Sequence, residues 1–78
     1  MEIYKLDLHR LRHVDAERSV VRFIEDHWDD GSELEIITGN SHKMQALVIS
    51  VLDEYKLTYH VGRRFSYNRG CIITWTTN

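Results

Sequence analysis

The chain lacks the features that mark several specialised classes of protein. It has one cysteine, which excludes an internal disulfide. It has no apolar run long enough to cross a bilayer and no signal-peptide pattern, so we expect a cytoplasmic protein with no membrane partner. No repeat, low-complexity tract or linker divides its 78 residues, and a chain of this length holds one hydrophobic core. The sequence therefore predicts a single domain over residues 1–78.

Positive and negative charges are unevenly distributed along the chain. The formal net charge is −2, but residues 25–35 contain six acids and no lysine or arginine. This acidic stretch contains Glu25, Asp26, Asp29, Asp30, Glu33 and Glu35. Without these six acids the net charge would be +4. The distribution predicts a basic face opposite an acidic end, so both an anionic and a cationic partner stay open.

Hydrophobic periodicity predicts six secondary-structure elements in the order βαβαββ. Alternating or β-branched runs indicate strands, whereas apolar residues at i, i+3 and i+4 indicate helices. In chain order, the predicted elements cover residues 3–8, 14–28, 34–38, 44–55, 57–65 and 71–76. This order predicts an α/β fold of the α+β sandwich type, with two helices and a four-stranded mixed sheet. We expect the first three strands to run parallel through right-handed crossovers and the fourth to pair antiparallel with the third in a hairpin.

The first helix and the last strand also predict which side chains are buried. In the helix, the apolar stripe consists of Val14, Val20, Val21, Ile24 and Trp28. Cys71 precedes two isoleucines in a strand pattern, so we expect it in the core and not as a nucleophile. Trp28 and Trp75 have apolar neighbours and are expected to pack in the core or at its rim.

A carboxylate and an imidazole lie at the end of the first predicted strand, in the sequence Leu-Asp-Leu-His at residues 6–9. Asp7 and His9 are two residues apart, so on a strand they share a face, and parallel sheets bind ligands at this end of their strands. A histidine that is oriented by a carboxylate can act as a general base. In the alternative interpretation, Asp7 forms a salt bridge with Lys5 or Arg10 and the histidine only hydrogen-bonds the loop.

A second polar cluster follows the second predicted strand and contains Thr38, Gly39, Asn40, Ser41, His42 and Lys43. The glycine permits a tight turn, the free N–H groups of the next helix attract an anion, and the lysine adds a positive charge. These residues predict a phosphate-binding turn. Alternatively, Ser41 or Asn40 simply caps the helix, which is compatible with phosphate binding. Because adjacent parallel strands end at one edge of a sheet, we expect His9 to lie near Ser41 and His42.

The predicted hairpin is rich in basic and aromatic residues, namely His60, Arg63, Arg64, Phe65, Tyr67, Asn68 and Arg69. Arginine side chains bind phosphates, and Phe65 and Tyr67 are suited to stack on unpaired bases. The alternative is a solvated hairpin tip whose arginines keep an edge strand soluble.

These motifs resemble the Smr (small MutS-related) family over essentially the whole chain. That family usually reads Leu-Asp-Leu-His-Gly and then His-Gly-x-Gly or Thr-Gly-x-Gly, and residues 68–73 are similar to its last turn and strand. Here Arg10 replaces the glycine after the histidine, and Ser41 replaces the second glycine of the turn. The resemblance implies a fold similar to the C-terminal domain of a bacterial translation initiation factor. It also implies nucleic-acid binding and, in several members, endonuclease activity on RNA or DNA, including messenger RNA at stalled ribosomes.

The motifs and the resemblance together predict a nucleic-acid-binding domain that is an endonuclease on RNA or DNA, with the ribosome as a further candidate partner. We expect His9 to act as the base toward a ribose 2′-OH or a water, Asp7 to orient it, and His42 to protonate the leaving oxygen or bind phosphate. The predicted nucleic-acid-binding residues are Arg10, Thr38, Gly39, Asn40, Ser41, Lys43, Arg63, Arg64, Tyr67 and Arg69. No cofactor is predicted, because Asp7 and His9 alone are not a metal signature, although a use of Mg²⁺ stays open.

Two alternative functions fit the same sequence. A non-catalytic adaptor would use the same edge to bind RNA, DNA or a ribosomal surface. A protein-binding module would use the acidic stretch to dock a basic partner or to mimic nucleic acid.

Overall fold

The computed structural model describes residues 3–28, 31–62 and 70–76. Within these ranges the chain folds into four strands and two helices. In chain order they are β1 (Ile3–Asp7), α1 (His13–Asp26), β2 (Glu33–Ile37), α2 (His42–Glu54), β3 (Tyr59–Val61) and β4 (Cys71–Trp75). The order of the elements and the α+β class confirm the prediction. No helix in the described ranges is long and apolar enough to cross a membrane.

The strands form one mixed sheet in the order β1-β2-β4-β3. β1 and β2 are parallel neighbours, with Ile3 opposite Glu33 and Asp7 opposite Ile37. β4 is inserted between β2 and β3 and runs antiparallel to both. The first three strands therefore share one direction and the fourth opposes them, as the sequence predicted.

The two sides of the sheet have different surroundings, because residues opposite each other on neighbouring strands share a face. On one side Ile36 and Ile72 are fully buried in a core cluster with side chains of α1 and α2. The other side, called the open face below, has Ile3, Lys5, Asp7, Glu33, Glu35, Ile37, His60, Cys71, Ile73 and Trp75. None of these side chains belongs to the cluster formed with the helices. Cys71 is 1% exposed, in agreement with the structural role expected of it.

The buried face of α1 differs from the predicted stripe at both ends. Its buried residues are spaced by four and are Ala16, Val20 and Ile24. Val14 is 58% exposed and Trp28 is 49% exposed, so their assignment to this stripe was wrong. Val14 is two residues from Ala16, which on a helix is a rotation of about 200°, so it lies on the opposite side. Trp28 lies beyond the end of α1 and packs at the rim, where its ring centroid is 5.7 Å from that of Tyr55.

The end of α2 explains why β3 starts later than the predicted strand over residues 57–65. Lys56 has a positive φ of 56°, and its N–H donates to the Asp53 carbonyl at 3.1 Å. The Leu57 N–H donates to the Leu52 carbonyl at 3.0 Å, which completes a Schellman motif. Leu57 is 6% exposed and belongs to the helix end and not to the strand. The last three residues of the predicted run lie outside the described ranges.

We expect Val20→Ala to lower the free energy of unfolding by about 2 kcal/mol, because it removes buried methyl groups and leaves a cavity. Val14→Ala is the matched control, since it makes the same change at an exposed position of the same helix. That control should be neutral or slightly stabilising, because alanine has the higher helix propensity. Urea unfolding followed by circular dichroism compares the two variants. Equal destabilisation by both would contradict the buried face assigned to α1.

Candidate functional site

The C-terminal ends of β1 and β2 lie side by side at one edge of the sheet. The Leu8 N–H donates to the Ile37 carbonyl at 2.8 Å, so the pairing of the two strands continues past the end of β1. The segments that follow both strands also approach each other. The position that a Cβ atom would take on Gly39 lies 3.5 Å from the Cβ of His9. The two polar motifs, residues 7–10 and 38–43, therefore meet at this edge, which we call the polar edge.

Asp7, His9 and Arg10 are joined by hydrogen bonds at the polar edge. The His9 N–H donates to Asp7 Oδ1 at 3.1 Å, and Nδ1 of the ring contacts the same oxygen. On the other side of the ring, Arg10 Nε donates to His9 Nε2 at 3.2 Å. All three residues are exposed. The carboxylate thus orients the ring, whereas Lys5 forms an ion pair with Glu35 at 3.7 Å and not with Asp7.

Hydrogen bonds from His9 lower the pKa of Asp7 below that of an ordinary aspartate. The bond to the ring is the largest cause and the bond to the backbone N–H is the second. Partial desolvation opposes them, and attraction to His9 and Arg10 adds smaller contributions. Asp7 is therefore ionised at neutral pH and only accepts hydrogen bonds. Since Nδ1 of His9 must then be the donor, the neutral ring has its lone pair on Nε2, where Arg10 donates.

The turn before α2 is built around Gly39, which has a φ of +67° that other residues rarely adopt. Its carbonyl accepts hydrogen bonds from Thr38 Oγ1 at 2.8 Å and from Gln45 Nε2 at 3.4 Å. Thr38 was predicted to bind nucleic acid. It is 2% exposed, and its side chain stabilises the turn through the hydrogen bond to the Gly39 carbonyl. Gln45 was not predicted to take part. The signal for it is a polar side chain in the first turn of α2, directly after the buried Met44.

Ser41 is the N-cap of α2, and its Oγ accepts the Met44 N–H at 3.1 Å. This confirms the capping role that the sequence left open, and it leaves the N–H groups of His42 and Lys43 without an intrahelical acceptor. The first turn of α2 has no acidic residue of its own to compensate the positive end of the helix dipole. The side chains of Asn40, His42 and Lys43 are exposed. The start of α2 is therefore suited to bind an anion.

The start of β4 is joined to the same turn. The Gly70 carbonyl accepts the Thr38 N–H at 2.7 Å and the Gly39 N–H at 3.0 Å. The predicted nucleic-acid-binding residues of the hairpin tip all lie outside the described ranges, namely Arg63, Arg64, Tyr67 and Arg69. Their role stays a prediction. His60, the described residue of the basic and aromatic cluster, lies on the open face of β3.

Comparisons of this chain with protein-family models, with curated proteins and with solved structures found no match. Among the described residues, no group of three or more histidine, cysteine, aspartate or glutamate side chains is placed to hold a metal ion. The polar edge is therefore defined by its own geometry. It combines an exposed aspartate–histidine pair, an arginine on the imidazole, and a helix N-terminus next to a glycine turn.

We expect His9→Ala to raise the pKa of Asp7 toward the ordinary value, because the substitution removes the hydrogen bond that lowers it most. A carboxyl group with a lowered pKa in the folded state stabilises the fold at neutral pH, and this contribution is lost as the pH falls through that pKa. The wild type should therefore lose this stabilisation on acidification and His9→Ala should lose less. A carboxyl-carbon NMR titration measures the pKa of Asp7.

His13→Ala is the matched control for this titration. His13 is exposed at the start of α1 and is not among the groups that shift the Asp7 carboxyl. The control should leave the pKa of Asp7 low. An unchanged pKa in His9→Ala would contradict the hydrogen-bonded pair.

We expect Ser41→Ala to lower the free energy of unfolding by about 1 kcal/mol, because it removes the side-chain acceptor of the Met44 N–H. Ser50→Ala makes the same change at an exposed position inside the same helix and should be neutral or slightly stabilising. Thermal unfolding of both variants is the measurement. Similar stability of Ser41→Ala and the wild type would mean that Ser41 does not cap α2.

Proposed function

We propose that this chain is a nucleic-acid-binding domain of the Smr type that cleaves RNA, or DNA, at the polar edge. The proposal rests on one observation, the exposed Asp7–His9 pair next to the Gly39 turn and the start of α2. Phosphodiester cleavage needs a general base and an anion site within reach of each other. The sequence resemblance to the Smr family supports the same activity, and we extend it to a cytoplasmic enzyme whose substrates include ribosome-associated messenger RNA.

Substrate binding begins with a phosphate group at the start of α2, where Lys43 and the first-turn N–H groups meet it. Arg10 supplies a second positive charge. In the free protein its Nε donates to Nε2 of His9. A phosphate oxygen is an ionised acceptor and forms a stronger hydrogen bond with a guanidinium group. We therefore expect the phosphate to draw Arg10 from His9 and to free Nε2.

The freed Nε2 of His9 then takes the proton of a ribose 2′-OH. The 2′-oxygen attacks the adjacent phosphorus, and the bond from phosphorus to the 5′-oxygen of the next nucleotide breaks. Asp7 keeps the ring oriented and stabilises the imidazolium that forms. The leaving 5′-oxygen takes a proton from His42 or from water. On DNA, a water molecule replaces the 2′-OH as the nucleophile.

A non-catalytic adaptor for RNA or for a ribosomal surface is the second candidate function. The observation that favours it is the same Arg10 contact, because this hydrogen bond occupies the atom that a general base needs. An arginine that stays on His9 during binding would leave an edge that holds phosphate without cleaving it.

We expect His9→Ala to slow the cleavage of end-labelled single-stranded RNA by at least about 100-fold, because it removes the general base. Asp7→Asn should also slow it, because an amide does not stabilise the imidazolium. Free imidazole should restore part of the activity of His9→Ala. Asp53→Asn, an exposed change in the last turn of α2, is the matched control and should keep the wild-type rate.

The same assay separates the candidate functions and the two nucleophiles. A single 2′-deoxy nucleotide at the cleaved position should abolish cleavage if the 2′-OH attacks, and the RNA product should then end in a 2′,3′-cyclic phosphate. Each reaction is run with Mg²⁺ and with a chelator, and on DNA as well as RNA. Binding by the wild type without cleavage would favour the adaptor. A wild-type rate for His9→Ala would contradict the role given to His9.

A further inference from the structure

A groove crosses the open face at the end of the sheet that is remote from the polar edge. It has a volume of about 460 Å³ and is lined by Glu33, His60, Ile73 and Trp75. Glu33 is directly opposite Trp75 on β2 and β4, and Ile73 is opposite His60 on β4 and β3. Side chains of three neighbouring strands, β2, β4 and β3, therefore line the groove. Glu33 starts β2 and is four residues, about 13 Å, from the end of the strand that belongs to the polar edge.

The polar and aromatic groups that line the groove are the Glu33 carboxylate, the Trp75 indole and the His60 imidazole. Glu33 and Trp75 are both half-buried, and neither side chain forms a hydrogen bond, ion pair or ring contact with another described residue. Ile73, which is 8% exposed and lies two residues before Trp75 on the same face of β4, adds an apolar side chain to the groove. A carboxylate beside the face of an aromatic ring attracts a cation through both its charge and the ring quadrupole.

The surrounding charge also favours a cationic ligand. On the open face, Glu35 follows Glu33 along β2 with one residue between them, and Lys5 neutralises only one of these two acids. Both acids belong to the acidic stretch defined above. A nucleic-acid strand would bring its phosphates toward these carboxylates, and that approach is repulsive.

We propose that this groove binds an arginine side chain of a protein partner. The planar guanidinium stacks on the indole of Trp75 while its paired N–H groups donate to the Glu33 carboxylate, a geometry that an ammonium group does not match. This site is separate from the polar edge and does not depend on the cleavage activity. Glu33, a member of the acidic stretch, then contacts a basic peptide. The chain has an anion site at one end of β2 and a cation site at the other.

The test is an NMR titration of the full chain with a short arginine peptide, N-acetyl-Gly-Arg-Gly-amide, at millimolar concentrations. The probe signal is the indole N–H of Trp75, which Trp28→Phe distinguishes from the second tryptophan. We expect saturable shifts of this signal and binding at least about threefold weaker for the lysine peptide. Glu33→Gln and Trp75→Leu should each weaken arginine binding about threefold or more.

Two further variants separate recognition from folding and from general charge. Trp75→Phe keeps an aromatic face and should retain most of the binding that Trp75→Leu loses. Glu54→Gln removes an exposed acid at the end of α2 and should have no effect. Equal binding of the arginine and lysine peptides, or equal losses in Glu33→Gln and Glu54→Gln, would overturn the proposal. Displacement of the arginine peptide by guanosine monophosphate would also overturn it and would identify a nucleobase site.

Discussion

The in-register parallel pairing of β1 with β2 is the contact on which the polar edge depends. Asp7 is opposite Ile37, and Leu8 continues the ladder by one hydrogen bond. Leu8 is fully buried, so it anchors the chain between the two exposed polar residues that flank it. A slip by one residue would turn these polar side chains toward the helices, and a slip by two would move them about 7 Å from the Gly39 turn. Either slip would move Leu8 from its place in the core cluster, so its burial opposes both.

The two ends of β2 have opposite electrostatic character, and the topology explains why. Parallel strands followed by helices bring helix N-termini to the C-terminal edge of the sheet, where their free N–H groups attract anions. No helix of the described ranges begins at the other end of β2, where the strand supplies Glu33 and Glu35. A net charge of −2 is therefore compatible with an anion site, because Glu25 and Asp26 at the end of α1 and Glu33 at the start of β2 are remote from it.

The features of the polar edge that could be predicted are those that depend on neighbours in sequence. Asp7 and His9 share a face because of strand spacing, and Ser41 caps α2 because a short hydroxyl precedes an apolar helical pattern. The exposure of Val14 could not be read from apolar spacing, since that spacing does not say which of two possible stripes meets the sheet. The late start of β3 follows from the Schellman turn at Lys56, a residue with no β-breaking signature.

By itself, the sequence determined the order of the elements, the α+β class and the chemical groups at the strand ends, because periodicity and turn chemistry are local properties. Only the tertiary structure decided that β4 lies between β2 and β3, that Gly39 meets His9, and that Glu33 faces Trp75. The pairing of β2 with β4, the approach of Gly39 to His9 and the pairing of Glu33 with Trp75 each join residues 30 or more positions apart. They depend on strand register and on which face the helices cover, which the packing of the whole core determines and no single segment encodes.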